Sequence, residues 1–511
     1  MTKQKQKQEA FMSIKKIYFT IFVTVLIVSS LDAQNHRYVN TLFPASVITN
    51  DVVYGSAPFL NSPYMNESST SIQDLVMDIY QAQNDTLSSR PAIIFAHGGG
   101  FSTGNRNVDD MVAFCDSFAR KGYVTITIDY RQGVEIADNG DLHYTRAAYR
   151  GLQDGRTAVR FLRANASEYG IDPNHIYWGG NSAGSFIGLN SIYMDSDERP
   201  GDAGQVNYSI GMIPYSGPDL GEIDLESHLE YSGRPNAVMA CWGGVGDTLI
   251  INPDNDRAVF LIHGMSDQIV SFNSGAPFNL NNISAVYGSN SINTRLSSIG
   301  IPAFDIYFVP GQDHEFYGVD NGNWSNGTSG NAYWDTVVVK ATDFFWQQHK
   351  PGASFNYEIN NLAVDFTNMS SGASSWLWDF GDGNTSSLQN PTHTYSSQGT
   401  YLVELYIENS MQSWDVFKHE VIISPLGINR TVSYKFNVFP NPVNGQTTLY
   451  FDKPLQHATL QIYNVLGQVV FMKNDQNGDH LSFDFSDLKT GIYFVRVNSG
   501  GEITLAKLIR N

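Results

Sequence analysis

Between about residue 70 and residue 350, short apolar, β-branched runs alternate with stretches of helical period. Ala92–Ala96, Val124–Ile128, Ile176–Trp178, Ile210–Pro214, Val259–Ile262 and Phe304–Phe308 read as apolar, β-rich runs. Ahead of the third run, Ala148, Leu152, Gly155, Val159 and Leu162 share one face at helical spacing, with Arg150, Arg156, Arg160 and Arg163 off it. Alternation of this kind predicts a mainly parallel sheet covered by helices on both faces, a doubly wound α/β fold. The pattern changes at Pro351-Gly352. From Ala353 to Pro425 short alternating strands and turn residues follow with no helical period. A second all-β stretch runs from about Tyr434 to Asn511, past the linker-like Ser424-Pro425-Leu426-Gly427. Each is about the size of a small sandwich domain.

The first residues read as an address rather than as part of the fold. Lys15 and Lys16 precede the apolar run Ile17 to Val28, and Ser29-Ser30-Leu31-Asp32-Ala33 follows. A basic flank, a short hydrophobic segment and a small residue at its end predict a secretory signal peptide over residues 1–33, cut after Ala33, with Met12 as an alternative start. The run is short for a membrane span, so the mature protein is expected to carry no integral membrane segment. Export would permit a disulfide between Cys115 and Cys241; two separately buried thiols are the other reading.

With 42% apolar residues in 511 the chain is globular and has room for a large core. Its 31 basic and 50 acidic side chains leave a net charge of −19, which repels phosphate backbones and excludes nucleic acid as a partner. Two cysteines are too few for a disulfide scaffold or a cysteine-based zinc site.

Four pieces of the α/β region carry chemistry. His97-Gly98-Gly99-Gly100-Phe101 follows the first strong strand, and Gly180-Asn181-Ser182-Ala183-Gly184 follows a later one. Asp267 lies beyond Val259–Ile262 in His263-Gly264-Met265-Ser266-Asp267, and His314 lies beyond Phe304–Phe308 in Pro310-Gly311-Gln312-Asp313-His314. A serine hydroxyl is a weak nucleophile until a base takes its proton, and flanking glycines permit the strained turn that exposes it. An imidazole acts as base and then as acid near neutral pH, and a carboxylate fixes its tautomer. A glycine-rich loop leaves backbone N–H groups to stabilise an oxyanion, each worth on the order of 10²–10³ in rate. Asp254 and Asp256 are rival acids, and Trp242 and Phe101 are candidates for a substrate pocket or for plain core.

These pieces, with LVMDIY at Leu75–Tyr80, IDYR at Ile128–Arg131 and DPNHIYWGGNSAG at Asp172–Gly184, resemble the carboxylesterase/lipase branch of the α/β-hydrolase superfamily. The resemblance implies Ser182 as nucleophile, His314 as base and Asp267 as its orienting acid. It also implies oxyanion donors at Gly99, Gly100 and Ala183, and no cofactor or metal. The expected activity is hydrolysis of extracellular esters, such as acylated polysaccharides, feruloyl or acetyl esters, or polyesters. A helical lid of the lipase kind is not evident between Ser185 and Ala237. A serine peptidase of the prolyl-oligopeptidase type is the catalytic alternative, although the segment before the core leaves no room for its propeller. A non-catalytic adhesion protein on a hydrolase scaffold is the third reading.

Trp376-Leu377-Trp378-Asp379-Phe380-Gly381-Asp382-Gly383, with Pro391-Thr392-His393-Thr394-Tyr395 and Gly399-Thr400-Tyr401, resembles a PKD domain, an immunoglobulin-like sandwich. Val438-Phe439-Pro440-Asn441-Pro442, LQIYNVLG at Leu460–Gly467 and Leu488-Lys489-Thr490-Gly491-Ile492-Tyr493-Phe494-Val495 resemble the type A sorting domain of the type IX secretion system of Bacteroidetes. That resemblance implies the type IX machinery as a partner and a secreted or surface-attached product. The expected organisation is thus a signal peptide (1–33), an α/β-hydrolase domain (34–350), a PKD domain (353–424) and a sorting domain (436–511).

Overall fold

The computed structural model describes residues 36–510, apart from 62–66, 68, 135–139, 211–212, 226, 281, 425–434, 440, 442, 444, 465–468, 487 and 500–501. The expected signal peptide, most of the linker-like 424–427 and parts of the tail motifs lie outside the described residues. Two compact units are present. One comprises Ser30–Lys350 with Asn409–Trp414, and the other holds the remainder from Pro351 onward.

The first unit is built on an eight-stranded sheet. Its strands are β1 (Ser46–Leu60), β2 (Thr70–Ala82), β3 (Arg90–Ala96), β4 (Val124–Ile128), β5 (Ile171–Asn181), β6 (Ala237–Cys241), β7 (Ala258–Gly264) and β8 (Asp305–Val309). The order across the sheet is β1-β2-β4-β3-β5-β6-β7-β8. β1 and β2 form an antiparallel edge, β2 meets β4 antiparallel, and every pairing from β4 to β8 is parallel. β3, β4 and β6 are buried along their whole length, which is why they read as unbroken apolar runs. Each fully buried Ile, Val or Leu there contributes about 1.5–3 kcal/mol relative to exposure.

The sheet differs from the sequence expectation at one strand. The apolar stretch at Ile210–Pro214 does not enter it: Val206–Ile210 and Ile213–Gly217 pair with each other as a separate antiparallel hairpin. The position between β5 and β7 belongs to β6, whose short AVMAC run carries little β-branching and was overlooked.

Helices α1 (Asp109–Ala119), α2 (Asp141–Ala164), α3 (Ala183–Tyr193), α4 (Ser289–Ser298) and α5 (Ala332–Gln347) cover the sheet. Of the apolar stripe expected on α2, Val159 and Leu162 lie in the main core, whereas Leu152 is buried in a separate cluster with Tyr149, Ala203 and Ile223. The arginines off that stripe are a surprise, because Arg150, Arg156 and Arg160 are buried as well. Arg150 donates to Glu67 at 2.5 Å, and Arg156 pairs with Asp224 at 2.9 Å, as Arg160 also does. Partners this distant in sequence cover a second face of α2, so the polar face is not a solvated one. Between Met194 and Asn236 the described residues form short 3₁₀ turns and the hairpin, with no α-helix to serve as a lid. Cys115 and Cys241 are both buried and free.

α3 lies unusually close to the sheet, and glycine makes that possible. A side chain at Gly184 would run into the carbonyl oxygen of Ala96, and one at Gly188 into the ring of Trp178. Gly184→Ala is therefore expected to destabilise the fold by about 1–3 kcal/mol through overpacking. Denaturant unfolding checks this; unchanged stability would mean that α3 is free to shift.

In the second unit, a three-stranded sheet (Phe355–Asn360, Ala363–Asn368, Thr392–Thr394) and a four-stranded sheet enclose Trp378, Phe366, Phe380 and Leu405. Asp379 accepts from the Gly381 N–H, and Asp382 accepts from Asn384 N–H and from His393, so both aspartates are engaged in the turn they occupy. The tail forms a five-stranded antiparallel network around the long strand Gln446–Asn464. Its two halves enclose Leu449, Leu460, Ile462, Val495 and Val497. No helix among the described residues is long and apolar enough to cross a membrane.

Candidate active site

All four chemical pieces lie beyond the carboxyl ends of parallel strands of one sheet: His97–Phe101 after β3, Ser182 after β5, Asp267 after β7 and His314 after β8. This is the edge of a doubly wound sheet at which ligands bind.

Ser182 occupies the turn between β5 and α3 with φ 47° and ψ −117°, a backbone region that costs a non-glycine residue of order 1–3 kcal/mol. The glycines on either side let the turn close, since a side chain at Gly180 would collide with the backbone at Gly184. The Ser182 N–H donates to Cys241 at the end of β6 at 2.9 Å, and its carbonyl accepts from Phe186 N–H at 3.1 Å. Strain at this one residue is held in place from both flanking elements.

His314 Nδ1–H donates to Asp267 Oδ2 at 2.7 Å, which leaves Nε2 as the basic nitrogen of the ring. The other oxygen, Asp267 Oδ1, accepts from the N–H groups of Ile269 and Val270, both at 2.8 Å. His263 Nε2 also approaches Oδ2, at 3.2 Å, while bonding Val270 O at 3.0 Å and placing Nδ1 against Ser289 Oγ at 2.8 Å. Burial works against the Asp267 charge, but hydrogen bonds from His263 and His314 outweigh it and hold the carboxyl well below the usual carboxylate range. The Asp267 and His314 loops are stitched together by Ser266 N–H to Gln312 O at 2.9 Å and Gln268 N–H to Asp313 Oδ1 at 2.8 Å. Gly264 permits this approach, because a side chain there would meet the carbonyls of Gln312 and Asp313. The rival Asp254 sits instead in a 3₁₀ turn capped by Asn252.

The glycine loop is held from behind. His97 Nδ1 bonds Gly98 O at 2.6 Å, and Tyr130, stacked on the imidazole, donates to His97 O at 2.9 Å. Burial pushes His97 down to about 4, so it is neutral at physiological pH. Gly99 and Gly100 have φ of 106° and 57°, and the Gly99 carbonyl accepts from Ser102 and Thr103 N–H groups, both at 3.0 Å. Ala183 opens α3, where a helix leaves N–H groups without intrahelical acceptors.

Gly100, Ser182 and Ala183 line one cavity of about 630 Å³. The rest of its wall is largely apolar, with Phe101, Tyr144, Leu152, Phe186, Ile250 and Phe278 among the lining residues. Phe101 is thus a pocket residue. Trp242 is fully buried and packs on the His314 ring with centroids 5.9 Å apart, so it supports that imidazole. Phe278, at φ 58°, lies over Gly100 and beside Tyr144. It was missed in the sequence because it stands in an irregular loop with no periodic signal. His263 carried a signal, its place four residues before Asp267, but no assigned role.

Family models match three stretches of the chain. Residues 77–203 match BD-FAE, residues 355–421 the PKD domain, and residues 437–511 the secretion system C-terminal sorting domain. The chain carries an esterase-type α/β-hydrolase domain. Similar curated proteins include a neuroligin-like protein, glit-1, of Caenorhabditis elegans, 30% identical over 28% of this chain and 18% of the relative. Lipase 2 of a Moraxella species is 25% identical over 43% of this chain and 49% of the relative. The matched region thus spans no more than about half of either relative's length. A solved structure of Thermogutta terrifontis esterase 2 in its apo form is 18% identical, covering 60% of this chain and 95% of the other, with a TM-score of 0.37.

Proposed function

We propose that the protein is an exported serine carboxylic-ester hydrolase acting by an acyl-enzyme mechanism. The observation that carries this reading is the strained Ser182 on the wall of an apolar cavity, with the bonded pair Asp267–His314 supplied by neighbouring strand ends. Ser182 Oγ attacks the ester carbonyl as His314 Nε2 takes its proton. The developing oxyanion is met by the N–H groups of Gly99, Gly100 and Ala183. His314 then gives the proton to the departing alcohol, and water activated by the same nitrogen releases the acid. The apolar wall suits an acyl group that is aliphatic or aromatic. The net charge of −19 disfavours polyanionic substrates. The tail directs the chain to the type IX machinery for secretion or surface display, and the PKD domain serves as a spacer or polymer-binding accessory.

A panel of p-nitrophenyl esters from acetate to long acyl chains, with a ferulate, tests the activity and reads the pocket. Turnover is expected for acyl groups that fit the cavity, with a decline for chains that outgrow it. A protein inert on all of them but active on peptide p-nitroanilides would replace this reading with the peptidase one.

A further inference from the structure

Asp110, in the first turn of α1, is completely buried, and the mechanism above makes no use of it. Its partners are the neighbours of the three catalytic pieces. Asn181, immediately before Ser182, donates its amide Nδ2–H to Asp110 Oδ2 at 2.6 Å. Tyr317, three residues beyond His314, donates its hydroxyl to the same oxygen at 2.7 Å. The remaining oxygen, Oδ1, accepts from Met111 N–H at 2.8 Å. The far side of the Asn181 amide faces Gly98, where a side chain would stand 3.0 Å from Asn181 Oδ1 and 3.2 Å from the Ser182 β-carbon. Tyr317 also packs on Trp242 at 4.6 Å between centroids, and Trp242 packs on His314.

Resting on the ester-hydrolase reading, we infer that Asp110 is a positioning residue that sets the nucleophile turn, the glycine loop and the base loop relative to one another. One carboxylate oxygen receives both donors, so the two loops cannot move apart without stranding a buried hydrogen-bond donor. The arrangement has a cost that a merely structural site would avoid. Burial pushes Asp110 up to about 8, the hydrogen bond from Tyr317 opposing this and the charge of Glu315 adding to it. A well-packed apolar residue in the same place would carry no such penalty, but it could not hold Asn181 and Tyr317 to one point.

Covalent labelling of Ser182 by an alkyl fluorophosphonate reads the activated nucleophile without knowledge of the natural ester. Labelling rates, together with kcat and KM on p-nitrophenyl acetate, are compared for the full chain and its Asp110→Ala, Asp110→Asn and Tyr317→Phe variants. Tyr317→Phe removes one donor while keeping the ring. Its labelling rate and kcat are expected to fall roughly tenfold, with KM within about a factor of two. Asp110→Ala is expected to lose roughly a hundredfold, and Asp110→Asn to recover part of that loss. Thermal unfolding identifies any variant that fails to fold; should Asp110→Ala do so, the other two decide. Folded variants labelled at the wild-type rate overturn the positioning role. Wild type that is not labelled at Ser182 overturns the ester-hydrolase reading and this inference with it.

Discussion

Replacing Ser182 by alanine is expected to reduce ester hydrolysis by roughly 10³- to 10⁶-fold while leaving the fold intact. On the proposed mechanism the loss is large because the hydroxyl is the atom that forms the acyl-enzyme. Residual rate above that of water would come from the N–H groups of Gly100 and Ala183 and from the cavity they line with Ser182. The fold should survive because the turn at Ser182 is held by backbone bonds to Cys241 and Phe186, not by the side chain. Steady-state rates on the preferred p-nitrophenyl ester, with a thermal unfolding curve for each protein, check both halves. A variant with more than about one-tenth of wild-type activity would exclude Ser182 as the nucleophile.

Asp267→Asn is expected to lower kcat by about 10⁴-fold with little change in KM. The carboxylate receives the Nδ1–H of His314, which leaves Nε2 as the base. An amide at this position can turn its NH₂ towards the ring, favouring the opposite tautomer and leaving Nε2 protonated and unable to accept a proton. In the wild type, the sign of the pH dependence follows from the same geometry. Asp267 is held below its ordinary value of 3.8, so it stays charged throughout the working range and any contribution it makes is lost only in strongly acidic solution. On the proposed mechanism kcat/KM falls on acidification because a general base must be neutral to act, not because Asp267 loses its charge. A rate independent of pH on the acid side would contradict this mechanism.

The pieces proposed as catalytic are legible in the sequence because each needs particular residue types side by side. A strained nucleophile turn demands glycine next to its serine, and an oxyanion loop demands a run of glycines after a strand. His314 and Asp267 were legible only through their position after apolar runs, and it is the fold that brings His314 Nδ1 to 2.7 Å from Asp267. Periodicity misplaced one strand because the backbone at Ile210 and Ile213 pairs in a hairpin apart from the main sheet, whereas the true strand β6 is short and alanine-containing. The burial of the α2 arginines was not legible, because Glu67 and Asp224 reach them from far along the chain. Asp110 was invisible for the same reason: its partners Asn181 and Tyr317 are 71 and 207 residues away.

The acyl-enzyme itself is the most direct test of the central claim. The full chain is mixed with a p-nitrophenyl ester, acid-quenched during turnover, digested and examined by mass spectrometry. The account predicts an adduct of the acyl mass on the peptide containing Ser182, absent from the Ser182→Ala protein. Steady turnover with the acyl group on another residue, or with an adduct that survives in Ser182→Ala, would contradict it.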